Sequence, residues 1–532
     1  MVAREINMAK KEPYILAIDL GTSGCKTALI SISGQVAGWE YQEIPLLIPS
    51  PGAAEQRPED WWQALLSTSK KLIGKNLVPV EDIIAVCCST QGEVTVPVDQ
   101  QGNALMNAMG SMDMRGAESL KQLTEGRINI EGYHPLKLIR WINLTGGAPS
   151  LRGGDPSAHM LYIRDNFPEI YSKTYKFLNV LDYLNLLLTG RFVTTPDLIM
   201  TSWVTDNRDA SHVVYHPGLV RGSGIEADKF PEIIACDAVV GELKPEVASI
   251  LGLKAGVKVV AGSIDVTAAA IGSGAVKDFE THLYIGTSSW LAAHVPFKKT
   301  DITTNMASLP CAITGKYLLI ATQTTAGGTL NYLRDNILYH KDELLMEEQV
   351  PDVFQIMDRI AGRVPAGSNG VMFAPWIYGE RAPVDDRFVR AALFNLSLEN
   401  SREDIIRAVM EGVAFNTRWL LAPVEKFLGR KLSVLNYVGG GAKSNIWCQI
   451  LADVLNLTIR QVRDPIQANA RGAAFIAAVG LGYLKYEDIP GMIEYNASYA
   501  PNSQNRDIYD KMFDVFVKFY KQNKALYKRL NG

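Results

Sequence analysis

The chain has 532 residues, 47% of them apolar and 20% charged, with a formal net charge of −3. That length carries two or three domains with large cores, and the composition is far from that of a disordered chain. A nearly neutral balance gives no electrostatic reason to expect nucleic acid or an anionic membrane as a partner.

The stretch 1–11 mixes charges and lacks an apolar run, so no signal peptide is expected. Tyr14–Ile18 reads as an apolar strand that continues through Asp19 and Leu20 into Gly21-Thr22-Ser23. Thr27–Ser31 and Val36–Tyr41 read as further strands around a turn at Gly34-Gln35. A helix is predicted from Arg57 to Ile73, with Pro58 in its first turn and Trp61-Trp62 inside it. Ile83–Ser89 is a continuous apolar run, the pattern of a buried parallel strand, and Val94–Val98 follows. A Gly- and Pro-rich loop covers 146–154. Beyond it, Ser157–Asn166 and Val180–Leu188 read as helices, with Gly190 ending the second.

Val259–Gly262 reads as a strand breaking at Ser263-Ile264-Asp265 into an Ala-rich helix. Lys258 and Asp265 make the stretch 257–276 too polar to span a bilayer. The opening phrase then recurs. Thr281-His282-Leu283-Tyr284-Ile285 runs into Gly286-Thr287-Ser288, and Leu291–Val295 and Tyr317–Thr322 follow as strands. Leu435–Val438 is a strand; Arg402–Leu421, Ile446–Leu455 and Arg471–Val479 are helical patterns. Strands alternating with helices predict α/β domains, and the recurrence predicts two similar ones, 1–277 and 278–532, around a central cleft. Six scattered cysteines without zinc or C-x-x-C spacing predict free thiols in a reducing cytoplasm.

A strand ending in Gly and two hydroxyl residues offers N–H and O–H donors to an anion, so two such turns suit one polyphosphate. Only the first carries an acid, Asp19, at its strand end, where it could hold a metal ion directly or through water. Lys26 is counted with Gly21, Thr22 and Ser23 among the nucleotide-binding candidates. The segment from Gly21 to Thr27 is not a Walker A loop, because Cys25 precedes the lysine and Leu20 stands where the first Gly belongs. Gly222-Ser223-Gly224 lacks a feeding strand and is set aside as a dinucleotide motif.

Asp265 stands where a strand breaks into a helix. There it either caps the helix or takes a proton from an attacking hydroxyl. Gly439-Gly440-Gly441 between strand and helix lets a flat group approach the backbone, and Gly327-Gly328 is a weaker case. Gln91, Glu93, Asp113 and Arg115 form a polar set that suits the adjacent hydroxyls of a polyol.

These phrases, in this order and spacing, resemble the FGGY carbohydrate kinases of the actin-like ATPase superfamily, over roughly Tyr14 to Gly482. The residues that carry the resemblance are Ala17 to Ser23, Gly262 to Asp265, Tyr284 to Ser288 and Val438 to Asn445, with Tyr378 to Pro383 as a further match. The resemblance implies two actin-like, ribonuclease H-like domains with mixed sheets flanked by helices. It implies transfer of the γ-phosphoryl group of ATP, with Mg2+, to a sugar hydroxyl. By position Asp265 matches the general base and Asp19 the acid near the metal. Thr22, Ser23, Thr287 and Ser288 match the phosphate turns, Gly439 to Gly441 and Asn445 the adenosine site, and Glu93 and Asp113 sugar contacts.

Four departures bear on the substrate. His159 and Tyr162 replace the usual Lys and Trp, and Asn395 replaces a usual Gly. Gly92-Glu93 stands where xylulose kinases usually carry Met-His. A pentulose such as xylulose is the first expectation. Glycerol, another polyol, ribulose or gluconate are alternatives, as is a non-catalytic sugar-responsive binding protein, against which Asp19 and Asp265 speak. An assembling actin-like protein is a third class, against which the polyol-type set speaks. The oligomeric state stays open, with a homodimer as the assembly to test.

Overall fold

The computed structural model describes residues 12–130, 132–338 and 353–532. The stretch 1–11, on which the absence of a signal peptide is read, lies outside them. The chain forms two compact units. The first takes the described residues up to Gly272 together with Pro310–Gly315 and Asn469–Met492. The second takes Ser273–Leu309, the described residues of Lys316–Ala468, and Ile493–Gly532. Two short stretches from beyond position 277 thus belong to the first unit.

The first unit is built on a six-stranded sheet. Its order is Val239–Glu242, Lys258–Ile264, Ile83–Thr90, Tyr14–Gly21, Gly24–Ser31, Val36–Glu43. Tyr14–Gly21 pairs antiparallel with Gly24–Ser31 and parallel with Ile83–Thr90, which is parallel in turn to Lys258–Ile264. The apolar run of Ile83–Thr90 is explained by its central place, buried at seven of eight positions. The edge strand Val36–Glu43 alternates half-buried and exposed residues instead. The helix Pro58–Ile73 packs on the two outer strands, and Thr68 Oγ1 lies 2.7 Å from Thr27 Oγ1.

The second unit repeats the plan in an eight-stranded sheet. Its order is Thr300–Asp301, Met306–Pro310, Tyr317–Gln323, Ser289–Val295, Thr281–Ile285, Val434–Val438, Thr458–Val462, Tyr495–Tyr499. Thr281–Ile285 pairs antiparallel with Ser289–Val295 and parallel with Val434–Val438. The repeated phrase in the sequence is therefore a repeated strand–turn–strand with a parallel neighbour.

Several elements differ from expectation. The helix from Arg402 runs to Leu428, through Pro423. A proline inside a helix costs about 3 kcal/mol. Burial of Val424, Phe427 and Leu428 offsets it, at about 1.5–3 kcal/mol each. Gly429, at φ 69°, ends the helix, where a left-handed residue is needed. The strand near Val94 begins only at Val96. Asn395, in place of a usual Gly, sits at φ 66° and donates from Nδ2 to Gly370 O at 3.0 Å. Asparagine tolerates that region, so the departure leaves the turn intact.

Candidate active site

In the first unit, Gly21-Thr22-Ser23 closes a hairpin in which Gly21 faces Gly24. Thr22 Oγ1 donates to Gln91 Oε1 at 2.7 Å, and Gln56 Nε2 donates to Thr22 O at 2.8 Å. Gln91 Nε2 donates in turn to Gln56 Oε1 at 2.8 Å, so one amide pair fixes the turn. Asp19 lies directly across from Lys26, whose Nζ is 3.1 Å from Asp19 Oδ2. Asn469 Nδ2 donates to Asp19 Oδ1 at 3.2 Å. A carboxylate has about four acceptor directions, so two remain beside these bonds. A buried acid beside a hydroxyl-bearing turn fits a hydrated cation on that ground. Among the described residues no three His, Cys, Asp or Glu side chains converge as a metal set.

Asp265 owes its position to glycine. Gly262, at φ 84°, bulges the strand, and a Cβ there would lie 2.0 Å from Cys88 O. The chain then turns at Ser263-Ile264, and Asp265 opens the helix Asp265–Gly272. Its Oδ1 accepts the Val266 N–H at 2.7 Å. Burial pushes its carboxyl up to about 7; the charge of Asp19 adds to this, the Val266 N–H opposes it, and Glu93 and Asp197 add less. A carboxyl held there exchanges a proton near neutral pH.

Gly92 packs against the same turn, since a Cβ on it would lie 2.2 Å from Ile264 Cδ1. Glu93 follows at φ 58°, half-buried. Asp113 is fully buried and accepts the Ala54 N–H at 3.0 Å. Arg115 grips it through Nε at 3.0 Å and Nη2 at 2.6 Å, and Nη2 also reaches Glu55 Oε1 at 2.6 Å. Gln91 is thus tied to Thr22 and Gln56, and Asp113 and Arg115 to each other and to Ala54 and Glu55, a layer of polar groups each bonded to protein partners. The two departures His159 and Tyr162 belong to this layer. Arg115 lies 5.2 Å over the Tyr162 ring. His159 Nε2 lies 3.1 Å from Asp113 O and Nδ1 3.2 Å from Thr95 Oγ1. Burial pushes the imidazole down to about 4, with Arg115 adding to this and the Asp113 carbonyl and carboxylate opposing it, so it is neutral at pH 7.

In the second unit, Thr287 is exposed at the tip of its turn. Thr287 O accepts the N–H groups of Ala326 at 2.9 Å and Gly328 at 3.1 Å. A Cβ on Gly327 would sit 2.3 Å from Gly286 O, so the Gly-Gly pair is what lets this loop lie on the turn. The triple glycine meets the same strand end. A Cβ on Gly439 would lie 2.5 Å from Ile285 O, and one on Gly441 2.4 Å from the Tyr437 hydroxyl. Gly440, exposed, has nothing within 4 Å of that position. Gly286, Thr287, Ser288, Gly327, Gly328 and Gly439 to Gly441 therefore come together. Asn445 accepts from Gln461 Nε2 at 3.0 Å, beside a ≈ 450 Å³ cavity that Lys443, Asp464 and Tyr499 also line.

Three supporting groups escaped the sequence. Asp197 accepts from Ile264 N at 3.1 Å, Thr267 Oγ1 at 2.6 Å, Thr195 Oγ1 at 2.7 Å and Cys236 Sγ at 3.2 Å. Asn469 lies 450 positions from its partner Asp19. Glu380 accepts from Thr324 N, Arg381 N and Asn416 Nδ2, and burial pushes its carboxyl up to about 7 against those donors. Asn416 O accepts from Gln323, whose Oε1 is 3.3 Å from Ser289 Oγ, so this network ends beside the second turn. Only Glu380 lies in a segment with a visible signal, Tyr378 to Pro383.

Residues 14–272 match the FGGY family of carbohydrate kinases, N-terminal domain, and residues 282–481 match its C-terminal domain. The xylulose kinase of Bacillus subtilis (strain 168) is 29% identical over 518 residues, covering 96% of this chain and 98% of that one. The autoinducer-2 kinase of Klebsiella pneumoniae is 26% identical over 529 residues, covering 95% and 93%. The crystal structure of gluconate kinase from Lactobacillus acidophilus superposes with a TM-score of 0.83 at 24% identity, covering 98% of this chain and 100% of that one. The two α/β units share the fold of the solved gluconate and xylulose kinases of Lactobacillus acidophilus. The chain belongs to the FGGY family of carbohydrate kinases, which are ATP-dependent phosphotransferases.

Proposed function

We propose that the chain phosphorylates one hydroxyl of a small sugar or polyol, with a pentulose such as xylulose as the first candidate and Asp265 as general base. The observation that carries this reading is the carboxyl of Asp265, opening a helix at a bulged strand end and pushed up to about 7. The acceptor hydroxyl attacks the γ-phosphorus of ATP, its proton passes to the Asp265 carboxylate, and ADP leaves. A base near its working pH is suited to this, because the proton moves late in a loose transition state.

The first unit supplies the acceptor side: Asp265, Glu93, and behind them the layer of Gln91, Asp113 and Arg115. The turn Gly21-Thr22-Ser23 and Lys26 serve the phosphates from the same unit. The second unit supplies Gly286, Thr287 and Ser288 for the phosphates and Gly440 and Asn445 for the nucleoside. Gly439, Gly441, Gly327 and Gly328 let the backbone come close enough to form that surface. Asp19 is the residue that would hold Mg2+, through water. The ion neutralises phosphoryl charge when bound.

A cytoplasmic location is part of the proposal. Six free cysteines, all buried, support it, and no helix among the described residues is long and apolar enough to cross a membrane.

The test is ADP release by the purified full chain with ATP and magnesium across ketopentoses, aldoses, sugar acids and short polyols. Turnover of a pentulose above the other acceptors is expected. Stabilisation by a sugar with no ADP release from any acceptor would replace the enzyme with a sugar-responsive binding protein.

A further inference from the structure

The charged groups around Asp265 are unequally provided with partners. Lys26 is held by Asp19, at 3.1 Å. Arg115 is held by two acids at once, Asp113 and Glu55, each at 2.6 Å from Nη2. Among the described residues neither Glu93 nor Asp265 forms an ion pair. With Asp197 on the other side of Asp265, six acidic side chains stand against these two cations, and both cations are already matched by carboxylates.

Glu93 is placed beside Asp265 by construction. Gly92 leaves room for the Ile264 side chain, so the loop lies on the residue that precedes Asp265. Glu93 itself adopts φ 58°, a left-handed conformation that few non-glycine residues take. The contact of Gly92 with Ile264 brings Glu93 to the turn that carries Asp265, and ionisation of the Asp265 carboxyl is opposed by the charge of Glu93. Its carboxylate accepts no hydrogen bond from a described residue. An ionised carboxylate of this kind is an acceptor only, and the partner it suits is a hydroxyl group.

We infer that the acceptor is uncharged: the site takes a neutral ketose or polyol and rejects the corresponding sugar acid. This rests on the functional reading given above and narrows its substrate class. A neutral polyol donates hydroxyl protons to Glu93 and Asp265. An aldonate brings a negative charge to the same place, where Lys26 and Arg115 are already paired with carboxylates and the low dielectric strengthens its repulsion by Glu93.

The experiment compares matched acceptors of equal carbon number, xylulose, xylitol and xylonate, using the purified full chain with ATP and magnesium. The neutral acceptors are expected to exceed xylonate in kcat/KM by about 100-fold or more, the scale of one like-charge contact. Gluconate is expected to be as poor as xylonate. Glu93→Gln keeps the shape and removes the charge, and is expected to narrow the ratio about tenfold, in part by raising xylonate turnover. Equal use of xylonate or gluconate by the wild-type chain overturns the inference while the phosphotransfer reading stands. A ratio that Glu93→Gln leaves unchanged in a folded variant removes Glu93 as its source and overturns the inference as argued. No ADP release from any acceptor overturns the functional reading and this inference with it.

Discussion

Asp197 accepts the backbone N–H of Ile264 at 3.1 Å, and this bond fixes the peptide immediately before Asp265. The same oxygen accepts from Thr267 Oγ1 at 2.6 Å, in the first turn of the helix that Asp265 opens. One buried carboxylate therefore holds the chain on both sides of the proposed base. Asp197→Asn puts an amide N–H where two donors already point. The expected result is a kcat lower by about 10- to 100-fold, from a misplaced base, with the KM for ATP unchanged. Steady-state kinetics on a variant with an unaltered circular dichroism spectrum checks this, and a normal kcat would remove Asp197 from its positioning role.

The titration of Asp265 sets a pH profile. Its carboxyl sits near 7 because burial and the charge of Asp19 disfavour ionisation. A base works only when deprotonated, so kcat/KM for the acceptor is expected to fall below about pH 7 with unit slope. Asp265→Asn is expected to lower kcat by 10² to 10⁴-fold and to abolish that limb. An acid limb that persists near pH 7 in the residual activity would assign it to another group.

The same shift has a cost in stability, with a definite sign. The ordinary value for this carboxyl is 3.8, and folding raises it to about 7. The folded chain thus binds the proton more tightly than the unfolded chain. The stabilisation is complete below pH ~4 and is lost as the pH rises through about 7. Asp265→Asn keeps the bond to the Val266 N–H and removes the charge. At pH 8 the variant is therefore expected to be the more stable chain, by on the order of 1–2 kcal/mol after allowance for residual solvation of the half-buried carboxyl. The difference should shrink on acidification towards pH 4. Denaturant titrations of both chains at several pH values measure it, and equal stability at pH 8 would mean that the carboxyl is solvated enough to ionise freely.

What the sequence disclosed follows from what is local. Asp19, Gly21 to Ser23 and Gly286 to Ser288 are contiguous phrases, and each structural unit builds its hairpin from one of them. Asp265 announces itself because a strand, a Gly and a helix start are adjacent. The layer behind these residues is not local. Asp197 meets Ile264 across 67 positions, Gln56 meets Gln91 across 35, and Asn469 meets Asp19 across 450. No spacing rule links such pairs, and each residue taken alone reads as ordinary surface. The C-terminal helix Arg506–Asn531 is a different case. Tyr509, Met512, Phe516 and Tyr520 are buried at helical spacing, yet this helix is not among the predicted elements, and no chemistry marks it.

The triple glycine separates packing from binding within three consecutive residues. Gly439 sits at φ 91° with Ile285 O only 2.5 Å from where a Cβ would be. Gly439→Ala is therefore expected to destabilise the second unit, through both conformation and overlap. Gly440 is exposed, and nothing lies within 4 Å of its own Cβ position. Gly440→Ala should leave the unfolding midpoint within a degree or two of the wild type, since exposed changes usually stay within about 0.5 kcal/mol. It does place a methyl group on the surface that the adenine ring is proposed to approach. The expected outcome is a KM for ATP several-fold higher, with the KM for the acceptor unchanged. A thermal melt and an ATP titration on each variant separate the two roles. An unaltered KM for ATP in a folded Gly440→Ala chain would move the nucleoside away from this turn and leave the glycines with a packing role alone.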